Sequence, residues 1–549
     1  MTSFDFKKWN TLLGWTAFTI ALVTYALTVE PTLSFWDCGE YIATSANLEV
    51  GHPPGAPLFQ MLGAFFAMFA FSPDKIALMV NYLSVFSSAF TILFMFWSLT
   101  MILKKVVNTT EKVSNNQSVM ILGSAFIASL TFTFSDSFWY NAVEAEVYAM
   151  ATFLIALLFW LGLRWEQELE TPRGNKWLLI ISLVIGLSFG VHFMALLAFP
   201  AIGFLYFFKK YKIVTVKSFL IANVIIVAIL LFIFKLLLPY ALAFFGKTEI
   251  FMVNNLGLPF NSGTIFAFIL IVAGFYFGLN YTKKKGHVFY NTLILATLFI
   301  LIGFSTWLML PIRANANTPI NENKPSDAAE VLAYYNREQY GDQKLFYGPQ
   351  FSDAYAGLDA TTPYLDGKPN YERDYTTGKY VITNNYKNAI QNTDDAHKAL
   401  LPRMWSNEHN VNYMTFGEPL EFRINPEYSH EDELVQIVTD FRKAYANGDV
   451  DLKDYDKFLK TYGDYLIIDK PSFATNMKFM VQYQFGYMYL RYLFWNFVGR
   501  QNDEQGRYED LKGNWITGID VVDDIFIGSQ KNLPSDIANN KARNIYYGI

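Results

Sequence analysis

The sequence predicts a polytopic α-helical membrane protein followed by a water-facing α+β domain. Hydrophobic residues make up 52% of the 549 positions. Charged residues make up only 17%, whereas soluble domains average about 25%. The charges are unevenly distributed, because residues 1–310 hold 32 of them and residues 311–549 hold 59. We therefore expect the first segment to lie in the membrane and the second to have the composition of a soluble domain.

Nine membrane spans are predicted, each needing about 20 apolar residues. The apolar runs are 11–29, 76–103, 119–134, 147–163, 177–208, 219–238, 264–280 and 288–310. The first run is longer than a signal-peptide core, so it is predicted to be an uncleaved span. Residues 177–208 are counted as a hairpin of two spans that turns near Gly190-Val191-His192. The run 57–71 is short and is predicted to be a surface or re-entrant helix.

The distribution of basic residues supports this arrangement. Fifteen Lys and Arg fall in the predicted inside segments, and only Lys75 and Lys247 fall in the short outside loops. The fifteen are Lys7, Lys8, Lys104, Lys105, Lys112, Arg164, Arg173, Lys176, Lys209, Lys210, Lys212, Lys217, Lys283, Lys284 and Lys285. If residues 57–71 crossed the membrane, or if residues 177–208 formed a single helix, clusters of basic residues would lie on the outside. The predicted location is the cytoplasmic (inner) membrane, with residues 311–549 on the periplasmic side.

The segment after the last span divides again. Residues 311–475 are rich in Tyr, Asn, Asp and Gly, without long apolar runs, and predict an extracytoplasmic α+β domain. Residues 477–498 combine aromatic side chains with basic and amide side chains, including Arg491, that a span would bury. Residues 476–549 are therefore predicted to form a membrane-surface amphipathic helix and a polar tail.

Several classes of function are disfavoured by the composition. The net charge of -5 argues against nucleic-acid binding. Cys38 is the single cysteine, so no intramolecular disulfide forms. The six His residues form no HxxxH or HExxH pair, so no metal site is predicted, although a divalent metal is left open. The spans have almost no ionisable residue at mid-membrane, which argues against an ion-coupled transporter.

The first outside loop, EPTLSFWDCGEYIATSANLEVGHPPG, has four carboxylates and no Lys or Arg. Asp37, Glu40 and Tyr41 are spaced to share one face of a helical turn, and Trp36 suits the interfacial aromatic belt. The element HPPG then leads from His52 into the helix that does not span, which predicts a pocket wall. The alternative is a solvated acidic loop with a helix N-cap.

The third outside loop, SDSFWYNAVEAEVYAM, is also acidic and carries Glu144 and Glu146. A carboxylate at Glu146, one residue before an apolar span, needs a partner. The alternative is that these charges only favour the start of the next helix.

Three basic residues are candidates for binding a phosphate. His192 lies at the predicted hairpin turn, Lys235 near the outer end of its span, and Arg313 just after the last span. The alternatives are a surface histidine and an arginine that extends to lipid headgroups. Basic groups that hold a phosphate, with a carboxylate that takes a hydroxyl proton, suit transfer from a lipid-phosphate-linked donor.

Three long runs carry a resemblance to a known family. SFWDCGEYIATSANLEVGHPPGAPLF, SFWYNAVEAEVYAM, and IRANANTPINENKPSD with YYNREQYGDQKLFYGP together resemble bacterial membrane proteins related to eukaryotic transmembrane protein 260. The resemblance covers nearly the whole chain. Family members look like GT-C glycosyltransferases, and the eukaryotic relative is a protein O-mannosyltransferase. Such enzymes use a polyprenyl-phosphate sugar on the outer face. Members often continue with further spans and helical repeats, so the chain is expected to be a short or truncated one.

The resemblance implies a GT-C-like fold for residues 1–310 and an inverting glycosyltransferase. The acidic loop of a GT-C enzyme corresponds to Asp37 and Glu40, and its HPP element to His52, Pro53 and Pro54. We expect Asp37 to be the general base, with Glu40 or Glu146 orienting the base or the acceptor. The phosphate-binding residues are expected to be Arg313, His192 and Lys235, and the pocket residues His52, Trp36, Tyr41 and Glu144.

The expected partners are membrane lipid, a polyprenyl-phosphate sugar as donor, and a Ser or Thr of an exported protein as acceptor, with no resident cofactor assigned. One alternative is transfer to an envelope glycolipid or polysaccharide. Another is a transporter or flippase for a lipid-linked sugar, which would form no sugar–acceptor bond. A third is a membrane scaffold with a binding domain, in which the acidic loop would tolerate substitution.

Overall fold

The computed structural model describes residues 5–107, 113–171, 173–341, 344–404, 406 and 408–545. The chain divides into two compact units. The first comprises Met1–Gly341 and Tyr371–Val381, and the second comprises Asp342–Asn370 and Ile382–Ile549. The boundaries predicted at 310 and 475 rested on composition and stay predictions.

The first unit is helical apart from a hairpin of strands Tyr371–Asp374 and Lys379–Ile382. Its helices are α1 (Phe6–Leu27), α2 (Cys38–Ala46), α3 (Pro57–Ala67), α4 (Ile76–Val106), α5 (Asn115–Thr133), α6 (Asp136–Ala142), α7 (Val147–Glu168), α8 (Gly174–Ser188), α9 (Ala198–Lys210), α10 (Val216–Leu231), α11 (Leu238–Leu256), α12 (Ser262–Lys284), α13 (Val288–Phe304), α14 (Met309–Asn315) and α15 (Ala328–Tyr335). Short 3₁₀ turns, Pro73–Lys75, Phe193–Leu197 and Ser305–Leu308, precede α4, α9 and α14.

Seven helical stretches of the described chain are long and apolar enough to cross a membrane. They are Phe6–Leu27, Pro73–Val106, Val147–Glu168, Phe193–Lys210, Val216–Leu256, Ser262–Lys284 and Val288–Asn315. An eighth results if α5 and α6, which are bent by 66° at a short break, form one broken span. The predicted multi-pass helical protein is confirmed. The count of nine stays a prediction, because α8 has only 15 residues.

The run 177–208 is two helices, as predicted. Helix α8 ends at Ser188, and the chain turns through residues 189–192 before a helical turn begins at Phe193. A Cβ on Gly186 would lie 2.1 Å from the carbonyl oxygen of Ile300. Glycine therefore lets α8 and α13 pack with their backbones in contact, which is typical of helix pairs in membranes. This packing holds the end of α8, from which the turn at His192 starts.

Helix α3 has 11 residues, which is too short to cross a bilayer as a helix. By contrast, the span predicted at 219–238 is the first half of a 41-residue helical stretch that ends at Leu256. A π-helical stretch, Phe232–Leu237, joins α10 to α11 just before Pro239. Such a stretch lets the helix continue past a proline, which lacks the N–H that a regular helix needs. Gly257, with a φ of 68°, ends it.

The second unit contains both helices and strands, and its strands are few and short. The antiparallel strand pairs are Tyr347–Pro349 with Lys398–Leu400, Tyr364–Leu365 with Ile390–Gln391, Phe422–Ile424 with Leu466–Ile468, and Gly499–Arg500 with Asn544–Ile545. The helices are α16 (Asn410–Phe416), α17 (Asp432–Asn447), α18 (Leu452–Tyr462), α19 (Phe473–Phe479), α20 (Arg491–Phe497), α21 (Asp520–Ile527) and α22 (Ser535–Ala538). Phe441 and Phe458 stack in its core with ring centroids 3.7 Å apart.

The segment 477–498, which was predicted to form a surface helix, is helical in the structure. A π-helical stretch, Met480–Leu490, joins α19 to α20. One side packs in the second unit, where Tyr483 lies 4.4 Å from the ring of Phe416. The guanidinium of Arg491 donates to the carbonyl oxygens of Tyr487 and Gly513. The predicted contact with the membrane surface stays a prediction.

The topology predicts which positions are reachable from outside. Cysteine at Asn255 or Asn336 should react with an impermeant thiol reagent on intact cells. Cysteine at Asn115 or Lys284 should react only after the membrane is opened, because the basic clusters place those ends inside. Cys38 is buried, so its background labelling should be low, and a Cys38→Ala chain is the control. Labelling with the opposite sidedness would contradict the predicted topology. Lys112, one of the fifteen basic residues, lies outside the described residues.

Candidate active site

The first loop carries Asp37 at the start of α2. Asp37 occupies the N-cap position, yet its carboxylate makes no capping hydrogen bond, and the side chain is 55% exposed. Trp36, directly before it, has a φ of 62° and is 94% exposed. A left-handed conformation is rare for a bulky residue, and such conformations cluster at functional sites. The loop thus presents the Asp37 carboxylate instead of using it to cap the helix.

Glu40 and His52 form an ion pair beside Asp37. Glu40 Oε2 lies 3.0 Å from His52 Nδ1, and Glu40 Oε1 accepts the backbone N–H of His52 at 2.7 Å. Burial raises the pKa of Glu40, but the hydrogen bonds and charge of His52 lower it by more, so the net pKa is below its usual value. The hydrogen bond to Glu40 in turn raises the pKa of His52. The pair therefore favours the ionised form of Glu40 and the protonated form of His52.

His52 lies between two carboxylates. Its Nε2 is 3.9 Å from Asp37 Oδ2, on the opposite edge of the ring from Glu40. Tyr41 is buried, with its ring 5.9 Å from His52 and 5.4 Å from Phe59 of α3. A Cβ on residue 51 would lie 2.5 Å from Glu40 Oε1, so glycine is needed there for the loop to approach Glu40. These contacts bring Asp37 and Glu40 of the first loop close to His52 of the HPP element.

Glu146 is the most perturbed carboxylate near this pair. It caps the start of α7 by position, its side chain is only 8% exposed, and its Oε2 atom has no hydrogen-bond partner among the described residues. Burial, followed by the charges of Asp37 and Glu144, raises the pKa of Glu146 to about 7. A buried carboxylate that titrates near neutral pH is suited to proton transfer.

Glu144 lies two residues before Glu146 and bonds to the first loop. Its Oε2 accepts the hydroxyl hydrogen of Ser34 at 2.7 Å, which joins the third outside loop to the first. The backbone N–H of Glu30 also donates to the carbonyl oxygen of Val143 at 3.0 Å. Two direct bonds therefore hold the two acidic loops together.

The segment that follows α13 is bonded to the first loop. The Val50 N–H donates to the carbonyl oxygen of Ile320 at 3.1 Å, and the Glu322 N–H donates to that of Val50 at 3.0 Å. The Tyr334 hydroxyl donates to the carbonyl oxygen of Gly51. The segment 320–334, which follows the last predicted span, therefore holds the loop that carries His52.

Arg313 belongs to the same set of loop contacts. Its guanidinium donates to the carbonyl oxygens of Leu48 and Asn47, at the end of α2. Two of its five N–H groups are thus bonded to the backbone, which leaves the two N–H groups of Nη1 and one of Nη2 for a phosphate. Its predicted part in donor binding stays a prediction.

Replacing Arg313 by lysine should loosen α2. A single ammonium cannot reproduce the planar fork that reaches two carbonyl oxygens, and a lost bond to a charged group costs about 1.5–3 kcal/mol. The measurement is the temperature at which buried Cys38 of α2 becomes reactive toward a thiol dye in the purified chain. Arg173→Lys, at an exposed arginine, is the control. An unchanged reaction temperature would show that Arg313 does not hold α2. If only the KM for the donor rises, Arg313 binds the donor phosphate instead.

His192 lies at the start of the turn Phe193–Leu197. Its Nδ1 accepts the backbone N–H of Met194 at 3.0 Å, so in the neutral ring Nε2 carries the hydrogen. Burial, followed by the charge of Arg337, lowers the pKa of His192. Its ring lies 5.3 Å from Tyr148, two residues after Glu146. The neutral form of His192, with its hydrogen on Nε2, is therefore favoured beside Tyr148.

Lys235 lies elsewhere in the first unit. It is exposed on the π-helical stretch, with Nζ 4.8 Å from the centroid of its neighbour Phe234. The residues on both sides of it, such as Phe232 and Leu236, line an apolar groove of about 770 Å³ with α12 and α13. The three predicted phosphate ligands thus contact different elements: the end of α2, the turn after α8, and the joint of α10 and α11.

Arg337 is a basic residue near the site that the sequence reasoning missed. The guanidinium carbon lies 4.6 Å from the ring centroid of Tyr340, and the Tyr340 hydroxyl donates to the carbonyl oxygen of Pro53 at 3.5 Å. Its charge also contributes to lowering the pKa of His192. Arg337 has a φ of 57°. The signal in the sequence is the run YYNREQYG, residues 334–341, in which this arginine stands among three tyrosines.

Among the described residues, no group of three or more His, Cys, Asp and Glu side chains is placed to hold a metal ion. The site consists of carboxylates, histidines and tyrosines. It combines a carboxylate of raised pKa, Glu146, with hydrogen-bond donors such as the Nε2–H of His192.

Residues 37–215 match a family model described as the protein O-mannosyl-transferase TMEM260 N-terminal domain. Residues 341–481 match a family of unknown function, DUF8416. The matched TMEM260 range contains Asp37, Glu40, His52, Glu146 and His192. Lys235 and Arg313 lie beyond it.

Two curated relatives carry the same name. The protein O-mannosyl-transferase tmem260 of Dictyostelium discoideum is 30% identical over 189 residues, which are 32% of this chain and 21% of that protein. The TMEM260 protein of Mus musculus is 27% identical over 172 residues, which are 31% of this chain and 22% of that protein. The matches therefore span about a fifth of each relative. No solved structure matches the chain. Through the segment that holds the acidic loops, this chain is related to the TMEM260 protein O-mannosyltransferases.

Proposed function

We propose that this chain transfers a sugar from a polyprenyl-phosphate donor to a Ser or Thr hydroxyl of an exported protein, with inversion at the anomeric carbon. The relatives named above support transfer of mannose to proteins. The observation that carries the proposal is the carboxylate cluster. Asp37 is exposed, and its charge contributes to raising the pKa of the buried Glu146 to about 7.

The proposed reaction is a single displacement. The acceptor oxygen attacks the anomeric carbon of the donor and forms the new C–O bond, while the bond from that carbon to the phosphate oxygen breaks. The hydroxyl proton passes to the carboxylate of Asp37, and polyprenyl phosphate leaves with the bonding electron pair. A hydroxyl is a weak nucleophile at neutral pH, so this step needs an aligned base.

Glu146 is coupled to Asp37 by charge in this scheme. The charge of Asp37 contributes to raising the pKa of Glu146 to about 7, so both carboxylates are ionised only above that pH. A carboxylate whose pKa is close to the working pH is suited to general acid–base catalysis. Buried Glu146 thus acts through Asp37 and is a positioning residue.

The ion pair of Glu40 and His52 fixes the base. His52 bonds to Glu40 with both its ring and its backbone, and its other ring nitrogen faces Asp37. The loop therefore needs no rearrangement when the substrate binds, which is the general advantage of a preorganised polar site. Arg337 and the Nε2–H of His192 are the donors that we assign to the leaving phosphate.

The test in cells is comparative glycoproteomics of exported proteins, with and without this gene and with its Asp37→Asn form. We expect peptides that carry a hexose on Ser or Thr only when the unaltered gene is present. A change in an envelope polysaccharide with unmodified proteins would favour the glycolipid alternative. An unchanged set of glycopeptides and envelope sugars would contradict transferase function.

A further inference from the structure

A small cavity lies between the first loop and α6. Its volume is about 330 Å³, which is in the range of ligand pockets. Its apolar surface comes from Leu33, Phe35, Tyr140 and Val143. An aliphatic or aromatic segment of a ligand would fit against these side chains.

Two carboxylates, Glu30 and Glu144, line the same cavity. Each accepts hydrogen bonds from neutral groups, Glu30 from Thr32 and Glu144 from Ser34. Neither of the chain segments that form the cavity, 30–56 and 134–146, contains a Lys or Arg. The cavity therefore combines apolar walls with negative charge that the loops themselves do not balance.

The chain segments that carry Glu30 and Glu144 are bonded in place before any ligand binds. The buried side chain of Asn81, on α4, donates to the carbonyl oxygens of Glu30 at 2.6 Å and Thr32 at 2.9 Å. The Glu30 N–H is bonded to Val143, and the Ser34 hydroxyl to Glu144. A pocket of fixed shape loses less entropy on binding than a mobile loop.

The cavity is next to the proposed base. Ser34 precedes Asp37 by three residues, and Glu144 precedes Glu146 by two. A polypeptide whose Ser or Thr hydroxyl reaches Asp37 would therefore place a nearby side chain at the cavity. A phosphate group would be repelled by the two carboxylates, so the donor headgroup is a poor occupant.

We propose that this cavity binds a Lys or Arg side chain of the acceptor polypeptide, one or two positions from the modified Ser or Thr. The proposal rests on the proposed function. The alkyl stem of the basic residue packs against Leu33 and Tyr140, as such stems do on apolar surfaces. Its charged end meets Glu30 and Glu144. The enzyme thereby selects acceptor sites with a basic neighbour.

The test is a set of matched acceptor peptides that differ at the flanking positions. Each carries Lys, norleucine or Glu next to one Thr, and transfer by the purified full chain is measured with polyprenyl-phosphate mannose. We expect the Lys peptide to have a KM at least about tenfold below that of the norleucine peptide, the effect of one charge-assisted contact. The Glu peptide should be the poorest acceptor, and added salt should reduce the differences.

Two variants sharpen the test. Glu30→Gln with Glu144→Gln should remove the preference for Lys, and Glu30→Lys should shift the preference toward the Glu peptide. Asp74→Asn, at an exposed aspartate paired with Lys75, is the matched control and should leave the preference unchanged. Equal KM values for the three peptides, or variants that alter only the donor KM, would overturn the proposal. The second result would indicate that the cavity binds the donor sugar.

Failure of the proposed function has a different signature. In that case no peptide is glycosylated, and the cavity is tested by binding alone. Fluorescence anisotropy of labelled peptides on the Asp37→Asn chain should still show tighter binding of the Lys peptide. Equal binding of the Lys, norleucine and Glu peptides would overturn the proposal in that case as well.

Discussion

Replacing Asp37 by asparagine should lower the turnover of sugar transfer by about 10²–10⁴, the usual contribution of a general base. Asparagine keeps the shape of the side chain and removes its ability to accept the hydroxyl proton. The N-cap position does not depend on the carboxylate, because it makes no capping bond. The variant chain should therefore fold and insert normally. The measurement is the initial rate with purified chain, a peptide acceptor and polyprenyl-phosphate mannose, with donor binding determined separately.

Asp136→Asn is the matched control for this variant. Asp136 is an exposed carboxylate in the third outside loop, at the start of α6, and the mechanism gives it no role. Its rate should equal that of the unaltered chain. If Asp37→Asn transfers sugar at the unaltered rate, Asp37 is not the base. If Glu146→Gln alone abolishes transfer, Glu146 is the base.

Replacing Glu146 by glutamine should change both the rate and its pH dependence. In the unaltered chain the pair of carboxylates must be fully ionised to accept a proton. Because burial and the charge of Asp37 raise the pKa of Glu146 to about 7, the rate should rise with pH below about 7 and level off above it. Neutral glutamine at position 146 removes this titration and the negative charge of the Glu146 carboxylate. Its rate should be about 10- to 100-fold lower and nearly independent of pH from about 6 to 8.

The measurement is kcat/KM for the acceptor across that pH range. Asp37→Asn provides an internal control, because loss of the neighbouring charge should move any residual pH midpoint downward. A Glu146→Gln chain with an unchanged midpoint would show that another group, such as His52, sets the profile. A rate that falls as pH rises through 7 would mean that protonated Glu146 is the active form.

The lengths of the apolar runs and the distribution of basic residues predicted most of the helices of the first unit. The hairpin over 177–208 and the short helix at 57–71 followed from counting basic residues on each side. The 41-residue stretch that ends at Leu256 was not predicted, because residues 238–256 mix polar and apolar side chains, and hydropathy does not register that they continue a helix. The close contact of Gly186 with α13 depends on tertiary packing, which a single sequence does not reveal.

The site was predicted in part. The spacing of Asp37 and Glu40 predicted a shared face of one helical turn, and in the structure the two carboxylates lie 3.9 Å and 3.0 Å from the His52 ring nitrogens. The burial of Glu146 depends on neighbours distant in sequence, and so does its pKa. Arg313 was assigned by its place after the last span, yet its geometry is set by carbonyl groups at the end of α2. The position of Arg337 depends on a left-handed backbone conformation that its sequence context does not signal.

The central claim is that the carboxylate cluster of this chain forms a bond between a sugar and a protein hydroxyl. The most direct measurement is the mass of a Thr-containing peptide after incubation with the purified chain and polyprenyl-phosphate mannose in a lipid nanodisc. We expect the peptide to gain one hexose with the unaltered chain, and the gain to fall to a trace with Asp37→Asn. A peptide of unchanged mass beside intact donor, with a properly folded chain, would contradict the account.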